Sequence, residues 1–346
     1  MKISVEKFGD LQDGRQADLY TLENQNGMKV QISNFGGVIR LILIPDKNGL
    51  LEDVVLGYKT FEEYISNPDY FGALIGRSTN LMAGNTVEIS GKKYFLDKNY
   101  GENNLHGGFN SLTYRLFDAE TRSGNGDISL VLTHTMEHLS DGLPGNLKVT
   151  VIFTLTSNNA LSICYHAVSD ADTVISFSNH THFNLCGHAS GTIYSHILDI
   201  SADFYTPIDS DGIPTGEILK VAETPFDFRG GKQIGDLIFT DCEQLNIYGG
   251  YDQNFVINGK GFRKAVTLTH PESGRKLDVF TDLPGVHLYT CNLLPEGVYK
   301  DERIYQKHQG MCFETQMFPN AVNIPWVLSP IHSAGEEYVT TTTFQF

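Results

Sequence analysis

Residues 128–136 (ISLVLTHTM), 147–156 (LKVTVIFTLT) and 160–168 (ALSICYHAV) follow one another as three apolar-rich stretches. The first alternates between apolar and polar side chains, as a strand does when one of its faces is buried. A turn sequence, DGLPG at residues 141–145, separates the first two stretches. This spacing predicts consecutive strands of an antiparallel sheet.

Strand patterns continue through most of the chain, whereas helical patterns are scarce. Residues 61–65 fit one or two helical turns, and no long amphipathic helix pattern is found. Because no linker, repeat or low-complexity segment interrupts the sequence, we predict one domain over residues 1–346. The predicted fold class is all-β, a large antiparallel β-sandwich. The other strand candidates are residues 28–45 (two strands, broken at 34–37), a hairpin at 86–89 and 93–96, and residues 173–177, 191–200, 266–270, 276–281, 286–291, 311–318 and 338–346.

The charge of the chain limits its partners. Its 346 residues carry a formal net charge of −16 at pH 7, so nucleic acid and anionic membrane surfaces are expected to be repelled. A neutral small molecule fits this charge better. No run approaches the roughly 18 apolar residues of a transmembrane helix, and residues 1–10 lack the apolar core of a signal peptide. The sequence therefore indicates a soluble, cytoplasmic protein.

The cysteines are scattered and odd in number, and no two form a Cys-x-x-Cys pair. This pattern is neither a disulfide framework nor a zinc-site spacing. We expect free, mostly buried thiols in a reducing cytoplasm. The five positions are Cys164, Cys186, Cys242, Cys291 and Cys312.

Residues 176–187 (SFSNHTHFNLCG) place polar side chains inside an apolar frame. In an extended strand, side chains alternate between the two faces. His180, His182 and Asn184 would then share one face, and Phe183 and Leu185 would share the other. Two imidazoles and an amide on a buried face are costly without partners. A polar cavity or a binding cleft would supply those partners.

Three further polar residues lie in apolar or glycine-rich settings. They are His106 in LHGG (residues 105–108), Asp252 in GYDQNF (residues 250–255) and Glu314 in MCFETQM (residues 311–317). On a strand, Glu314 shares a face with Cys312, so its carboxylate meets a partly apolar surface. Desolvation would raise its pKa and make it a better base near neutral pH.

Each of these residues also has a purely structural interpretation. His106 could be a hydrogen-bonded structural histidine, Asp252 a turn former and Glu314 half of a structural ion pair. His180 and His182 could be two zinc ligands, but no third ligand lies at a characteristic spacing, so no metal site is predicted. From these patterns alone, the chain is an all-β protein with a polar cleft.

Six segments, in order along nearly the whole chain, together resemble the aldose 1-epimerase (galactose mutarotase) family. The resemblance implies that family's fold, the galactose mutarotase-like supersandwich, and its reaction. That reaction interconverts the α and β anomers of free aldohexoses such as galactose and glucose, with no metal or organic cofactor. The segments are GRSTN (76–80), NNLHGG (103–108), NHTHFNL (179–185), PFDFR (225–229), GYDQNF (250–255) and CFETQ followed by PNA (312–316 and 319–321).

The resemblance also assigns roles to residues. Glu314 would be the general base and His180 the general acid, on opposite sides of the sugar, with His180 kept protonated by nearby acids such as Asp252. The remaining roles are in substrate binding. The implied binding residues are His106, Asp252, Asn80, Arg77, His182 and His287. As a partner we expect only the sugar, and the chain would be a monomer or a homodimer.

Three positions depart from the family pattern. Leu81 stands where the family usually has an arginine that contacts the sugar, and Arg77 is a candidate to replace it. His287 stands where glutamine is common, and His182 replaces a frequent tyrosine. These changes predict a rearranged pocket with a shifted sugar preference or a weaker activity.

Two other functions stay open from the sequence. One is a non-catalytic carbohydrate-binding protein on the same fold, which the leucine at position 81 makes plausible. The other is a glycoside hydrolase that uses Asp252 and Glu314 as its carboxylate pair.

Overall fold

The computed structural model describes residues 1–346. Three large sheets, all antiparallel, contain most of the strands. The first, a five-stranded sheet, follows the chain order without crossovers. Its strands are Lys2–Asp10, Gln16–Glu23, Lys29–Ser33, Ile39–Pro45 and Leu51–Asp53.

The second, a nine-stranded sheet, contains the three stretches with which the sequence analysis began. They form strands of ten residues each, paired in register along their length. The C-terminal strand lies between Ala160–Ser169 and Lys276–Thr281 and so joins the two halves of the sheet. In spatial order the strands are Asp118–Ser123, Asp127–Met136, Leu147–Thr156, Ala160–Ser169, Glu337–Gln345, Lys276–Thr281, Arg263–Thr269, Ile197–Ile200 and Lys232–Gln233.

The third, a six-stranded sheet, packs with the other two around one core. A continuous cluster of 54 buried apolar residues draws members from all three sheets, for example Val30, Phe153 and Phe313. This shared core confirms the predicted antiparallel β-sandwich. In spatial order the strands are His182–Phe183, Met311–Gln316, Gly285–Tyr289, Asp252–Ile257, Ala202–Thr206 and Leu219–Lys220.

The remaining elements are short. The helix Phe61–Ser66 confirms the predicted helical turns, and its start is fixed by the Glu63 carboxylate, which accepts the Thr60 backbone N–H at 2.8 Å. No helix is long and apolar enough to span a bilayer. The other helices are Ile234–Leu237 and Glu243–Asn246, with 3₁₀ turns at Gly108–Asn110, Leu112–Tyr114, Lys300–Glu302 and Ala321–Asn323. The two-stranded pairings join Leu74–Ile75 with Ser178–Asn179, Leu81–Met82 with Asn104–Leu105, Thr86–Ile89 with Lys92–Phe95, Thr173–Val174 with Ile331–His332, and Gly297–Val298 with Ile304–Tyr305.

Some strand predictions are too long. The strand predicted at 191–200 is confined to Ile197–Ile200, and the strand predicted at 173–177 to Thr173–Val174. Residues 176–187 make two short pairings instead of one strand, because the chain between them bonds to a loop: the His180 N–H donates to the Ala73 carbonyl at 2.9 Å. The strands Lys2–Asp10 and Gln16–Glu23 were not predicted. The first lies at a sheet edge and is largely exposed, so it lacks the alternating apolar signal.

The six-stranded sheet has one apolar and one polar face. In strand Met311–Gln316, Met311 and Phe313 belong to the core, so Cys312 and Glu314 point to the opposite side. On the neighbouring strand, Leu288 enters the core and His287 lies directly opposite Glu314. The sheet thus presents its polar side chains together on the face away from the core.

Candidate active site

A cavity of about 300 Å³ lies over the polar face of the six-stranded sheet. Most of the residues predicted to form a site line this cavity, although they come from six separate parts of the chain. Their contact with a sugar stays a prediction. The predicted site residues that line it are Asn80, His106, His180, His182, Asp252, His287 and Glu314.

Glu314 and His180 are in contact at the base of the cavity. His180 Nε2 lies 3.4 Å from Glu314 Oε1, and the side chains are only 8% and 1% exposed. The other carboxylate oxygen, Oε2, is buried without a hydrogen-bond partner. The two groups are therefore neighbours on one wall. This corrects the expectation that they lie on opposite sides of a sugar.

The backbone N–H and the backbone carbonyl of His180 are both hydrogen bonded to the loop that contains Gly72 and Ala73. Its N–H donates to the Ala73 carbonyl and its carbonyl accepts the Gly72 N–H at 3.1 Å, while the Asn179 side-chain amide donates to the Gly72 carbonyl at 3.0 Å. On the far side of the ring, His180 Nδ1 lies 3.5 Å from Cys312 Sγ. The imidazole is thus fixed with Nε2 toward Glu314 and Nδ1 toward the thiol.

Asp252 has a partner other than His180. His287 Nε2 lies 2.7 Å from Asp252 Oδ1, and His287 is opposite Glu314 in the sheet register. Burial alone would lower the pKa of His287, but the hydrogen bond and the charge of Asp252, with the charge of Glu314, raise it. The raised pKa favours the protonated, positively charged form of His287 beside Asp252.

The protonation of the central pair follows from burial. Burial raises the pKa of Glu314 to about 7, although the charge of His287 opposes the shift. Burial, together with the charge of His287, lowers the pKa of His180 to about 3. The expected increase of the Glu314 pKa is seen. The expectation that Asp252 keeps His180 protonated is wrong, because Asp252 is paired with His287.

His106 is oriented by the backbone of Asn80. The Asn80 N–H donates to His106 Nδ1 at 3.2 Å, which leaves the ring proton on Nε2. Burial lowers the pKa of His106 well below its usual value, so the ring is neutral and Nε2–H is a donor. The ring of Tyr70 packs edge-on against it, with centroids 4.8 Å apart.

Arg77 lies outside the cavity, which corrects its assignment as a binding residue. Its guanidinium is fully buried and pairs with Asp141 at 2.9 Å. It also donates to the carbonyls of Pro144 and Gly145 at 2.9 and 3.1 Å. Leu81 does line the cavity and lies opposite Leu105 in their short pairing. No side chain of this region therefore replaces the missing arginine.

Asn184 also lies outside the cavity, although strand alternation predicted it on the same face as His180 and His182. Its amide donates to the carbonyls of Gly191 and Gln309 at 2.9 and 2.8 Å. It holds the loop after residue 184 and does not line the cavity.

Of the cavity residues that the sequence analysis missed, three bear on the site: Tyr70, Asn254 and Tyr289. Two of them carried a usable signal. Asn254 follows Asp252 by two positions and Tyr289 follows His287 by two, so strand alternation puts each on the polar face. Tyr70 lies on a loop and had no such signal. Neither polar atom of the Asn254 side chain has a hydrogen-bond partner.

Two groups of side chains have the composition of a metal site. One is His180, His182 and Cys312, and the other is His106, His180 and Glu314. In each group the potential ligand atoms all lie within 4.8 Å of one another, and all these residues are buried. The first group supplies the third ligand that sequence spacing could not reveal, since Cys312 comes from a distant strand.

Comparison with known proteins identifies the family of the chain. The family profile described as Aldose 1-epimerase matches residues 18–345. Galactose mutarotase from Homo sapiens is 37% identical over 343 residues, covering 98% of this chain and 97% of the relative. Aldose 1-epimerase from Escherichia coli (strain K12) is 32% identical over 338 residues, covering 96% of each chain.

A solved structure supports the same relationship. The galactose 1-epimerase from Lactobacillus acidophilus NCFM superposes with a TM-score of 0.88 at 27% identity, and covers 99% of this chain and 98% of its own. The shared fold extends over the sheets that carry the cavity. The chain belongs to the aldose 1-epimerase family.

Proposed function

We propose that the protein is an aldose 1-epimerase that interconverts the α and β anomers of free aldohexoses such as galactose and glucose. One observation carries the proposal: a buried carboxyl and a buried imidazole, 3.4 Å apart, lie at the base of a cavity of about 300 Å³. The polar lining and the neutral imidazoles of His106 and His182 suit an uncharged polyhydroxyl ligand.

The reaction needs two proton transfers at neighbouring oxygens. Glu314 removes the proton of the C1 hydroxyl, and His180 supplies a proton to the ring oxygen, which opens the ring to the aldehyde. Rotation about the C1–C2 bond and reversal of both transfers give the other anomer. Because both oxygens are bonded to C1, an acid and a base on one wall can reach them together.

A single proton on the pair is enough for this chemistry. With a pKa of about 7 for Glu314 and about 3 for His180, the pair holds one proton between these values. Ring opening uses the form in which that proton is on His180 and Glu314 is ionised. The two side chains are 3.4 Å apart, so a small approach lets the proton move between them. Positioned acid–base catalysis contributes about 10²–10⁴-fold per group.

Other cavity residues hold the sugar in this proposal. His106 Nε2–H donates to a hydroxyl, and Asp252 and Asn254 offer acceptors. Asn80 and His182 complete the polar lining. The rings of Tyr70 and Tyr289 flank His180, with centroids 5.7 and 6.2 Å from its own. They would cover the apolar C–H surface of a pyranose and exclude water.

Polarimetry of freshly dissolved α-D-galactose and α-D-glucose tests the proposal. We expect micromolar protein to accelerate the approach to the equilibrium rotation well beyond the buffer rate. Unchanged exchange together with sugar binding in calorimetry would instead indicate a non-catalytic binding protein. Release of reducing ends from a disaccharide would indicate a hydrolase. In the structure Asp252 is bonded to His287, which disfavours it as a partner carboxylate for hydrolysis.

We also propose the setting in which the protein works. All five cysteines are free, which fits a reducing cytoplasm. The net charge of −16 disfavours nucleic acid and anionic membranes as partners. Size-exclusion chromatography with light scattering distinguishes the expected monomer or homodimer from larger assemblies.

A further inference from the structure

Beside His180, the cavity wall contains two soft ligands, His182 and Cys312, that transfer no proton in the proposed reaction. His182 and Cys312 are directly opposite each other in the antiparallel pairing of their strands. Cys312 Sγ also lies 3.5 Å from His180 Nδ1. One ligand atom from each of the three residues lies within 4.8 Å of the others.

The ligand atoms of His180, His182 and Cys312 have bonding capacity that the protein does not fully use. His182 is 1% exposed, and its Nδ1 has no hydrogen-bond partner. The Cys312 thiol is fully buried, and its one hydrogen-bond partner is His180 Nδ1 at 3.5 Å, so a bound ion would replace a single weak hydrogen bond. His180 directs Nε2 toward Glu314, so Nδ1 is not needed for the proton transfers. An unpartnered buried nitrogen is costly, which points to a missing ligand.

We propose that His180, His182 and Cys312 form a site for a soft divalent cation, with Zn²⁺ as the best fit, and that the bound ion blocks the epimerase reaction. Binding releases the thiol proton to solvent, and the thiolate and two neutral imidazoles coordinate the ion. The ion enters from the cavity, which both histidines line.

The geometry suits zinc. Zn–S bonds of about 2.3 Å and Zn–N bonds of about 2.0–2.1 Å in a tetrahedron place neighbouring ligand atoms roughly 3.3–3.7 Å apart. The sulfur–nitrogen distance of 3.5 Å already falls in this range. The carboxylate of Glu314 lies on the other nitrogen of His180. A carboxylate–histidine–zinc arrangement of this kind fixes the tautomer of the ligating ring and strengthens its bond to the metal.

The second group, His106, His180 and Glu314, fits a soft cation less well. His106 Nδ1 already accepts the Asn80 N–H, and a carboxylate is a harder ligand than a thiolate. Occupancy of the first group stops catalysis because the ion takes the place of the Nδ1 proton of the imidazolium, so that His180 would have to become an imidazolate to give up its Nε2 proton. The ring can then no longer pass a proton to the sugar.

Cobalt(II) spectroscopy of the purified full chain tests the site without relying on activity. Co²⁺ bound through a thiolate gives a sulfur-to-metal charge-transfer band in the near ultraviolet, which we expect for the wild type. Cys312→Ser should abolish the band, and added Zn²⁺ should displace Co²⁺ from the wild type. The matched control is Cys291→Ser, which removes another buried thiol that lines the same cavity and should keep the band.

A second variant guards against a folding defect in Cys312→Ser. His182→Gln should weaken Co²⁺ binding at least tenfold, with circular dichroism showing that both variants are folded. Retention of the band in folded Cys312→Ser, or its loss in Cys291→Ser, would overturn the assignment. So would the absence of any band in the wild type. These outcomes are independent of whether the protein epimerises sugars.

If the wild type is active, Zn²⁺ should inhibit it reversibly, with recovery on addition of EDTA. We expect the half-inhibiting Zn²⁺ concentration to rise at least tenfold in Cys312→Ser. An equal sensitivity of wild type and Cys312→Ser would show that inhibition occurs elsewhere and would overturn the proposed block.

Discussion

Two buried pairs of ionisable side chains differ in how completely they are hydrogen bonded. Arg77 and Asp141 are fully buried and joined by two contacts of 2.9 Å, and the guanidinium also bonds backbone carbonyls. His180 and Glu314 are almost as buried, but their contact is 3.4 Å and Glu314 Oε2 has no partner. In the first pair, the polar atoms are hydrogen bonded within the protein. In the second pair, a carboxylate oxygen is left without a partner.

This difference separates a structural pair from a reactive one. A buried charge that is fully hydrogen bonded is fixed, and removing its partner costs stability. A buried group with unused capacity keeps a shifted pKa and an open position for a ligand. Burial and charge type alone would not distinguish them. The variants below test whether the two pairs behave as differently as their contacts indicate.

The largest expected effect is on catalysis. Glu314→Gln and His180→Asn each remove one proton-transfer group while keeping a similar shape. We expect each to lower kcat about 10²–10⁴-fold, measured by polarimetry on α-D-galactose. Unchanged far-ultraviolet circular dichroism is the control for folding. Activity near that of the wild type in either folded variant would contradict the role proposed for that residue.

The Arg77 pair should respond in the opposite way. Arg77→Met leaves the Asp141 carboxylate buried without its cation, which typically costs about 3–5 kcal/mol of unfolding free energy. Denaturant unfolding measures the loss, and activity per folded molecule should fall far less than in Glu314→Gln. The double variant Arg77→Met/Asp141→Leu is the control and should regain part of the stability. A loss of unfolding free energy below about 1 kcal/mol in Arg77→Met would show that this pair stabilises the protein no more than an exposed ion pair does.

Glu314 should cost the protein stability at high pH. Its pKa is raised from 4.5 to about 7 in the folded state, so the stabilisation from its protonated form is full below pH 4.5 and disappears as pH rises through 7. Glu314→Gln stays neutral and escapes this loss. At 1.36 kcal/mol per pKa unit, the variant should be up to about 3 kcal/mol more stable than wild type at pH 8.

Urea unfolding of both proteins at pH 4 and pH 8 measures this difference. The advantage of Glu314→Gln should grow between these values and be absent at pH 4. Asp252→Asn is the control, since it removes a carboxylate from the same cavity that is ion-paired with His287. An advantage that does not depend on pH would mean that ionisation of Glu314 is not its cause.

The pH dependence of kcat/KM should report the shared proton. Activity should decline above about pH 7, where Glu314 and His180 hold no proton between them. His287→Gln removes a positive charge that lowers the pKa of Glu314. The alkaline limit should therefore move up, by roughly one pH unit for the loss of one nearby charge.

These profiles are measured in buffer containing EDTA, with the uncatalysed rate subtracted at each pH. Tyr289→Phe serves as the control, because it keeps the ring on the same strand but changes no charge of the cavity at neutral pH. A downward shift in His287→Gln would contradict the assigned charge. A wild-type profile that still rises above pH 7 would show that the proton donor lies outside the pair.

Where the signal was local, the sequence predicted the fold and selected residues that line the cavity. Alternation within strands placed Glu314 on the same face as Cys312, which the structure shows. The same rule applied to the strands of Asp252 and His287 would have added Asn254 and Tyr289. It failed for residues 176–187, where the backbone bonds to a loop and not to a long neighbouring strand. The largely exposed edge strand Lys2–Asp10 also carried too weak a pattern.

Pairing between distant residues could not be predicted. Arg77 finds Asp141 across 64 positions, and His287 finds Asp252 across 35. Each pairing depends on strand register and loop packing, which a single sequence does not specify. The protonation of His180 depends on these pairings, because Asp252 is paired with His287, and it was therefore predicted wrongly. The rise in the pKa of Glu314 depends on burial, which the sequence did predict.

The smallest expected effect concerns Leu81, which the resemblance to the family places where an arginine is expected. Leu81 is 7% exposed and lines the cavity opposite Leu105, so a longer side chain there would extend toward the ligand. Leu81→Arg should supply a charged donor to a sugar hydroxyl, a bond type worth about 1.5–3 kcal/mol when well placed. We expect kcat/KM on galactose to rise about tenfold, mainly through KM.

Leu81→Met is the matched control, because it changes shape without adding a donor and should leave kcat/KM nearly unchanged. A gain confined to Leu81→Arg would mean that this cavity still accommodates the donor that the leucine lacks. A loss in Leu81→Arg with no loss in Leu81→Met would mean that the positive charge is not tolerated beside His287. In that case His287 and Leu81 belong to one rearranged pocket. The effects of Leu81→Arg and His287→Gln on kcat/KM should then be non-additive in the double variant.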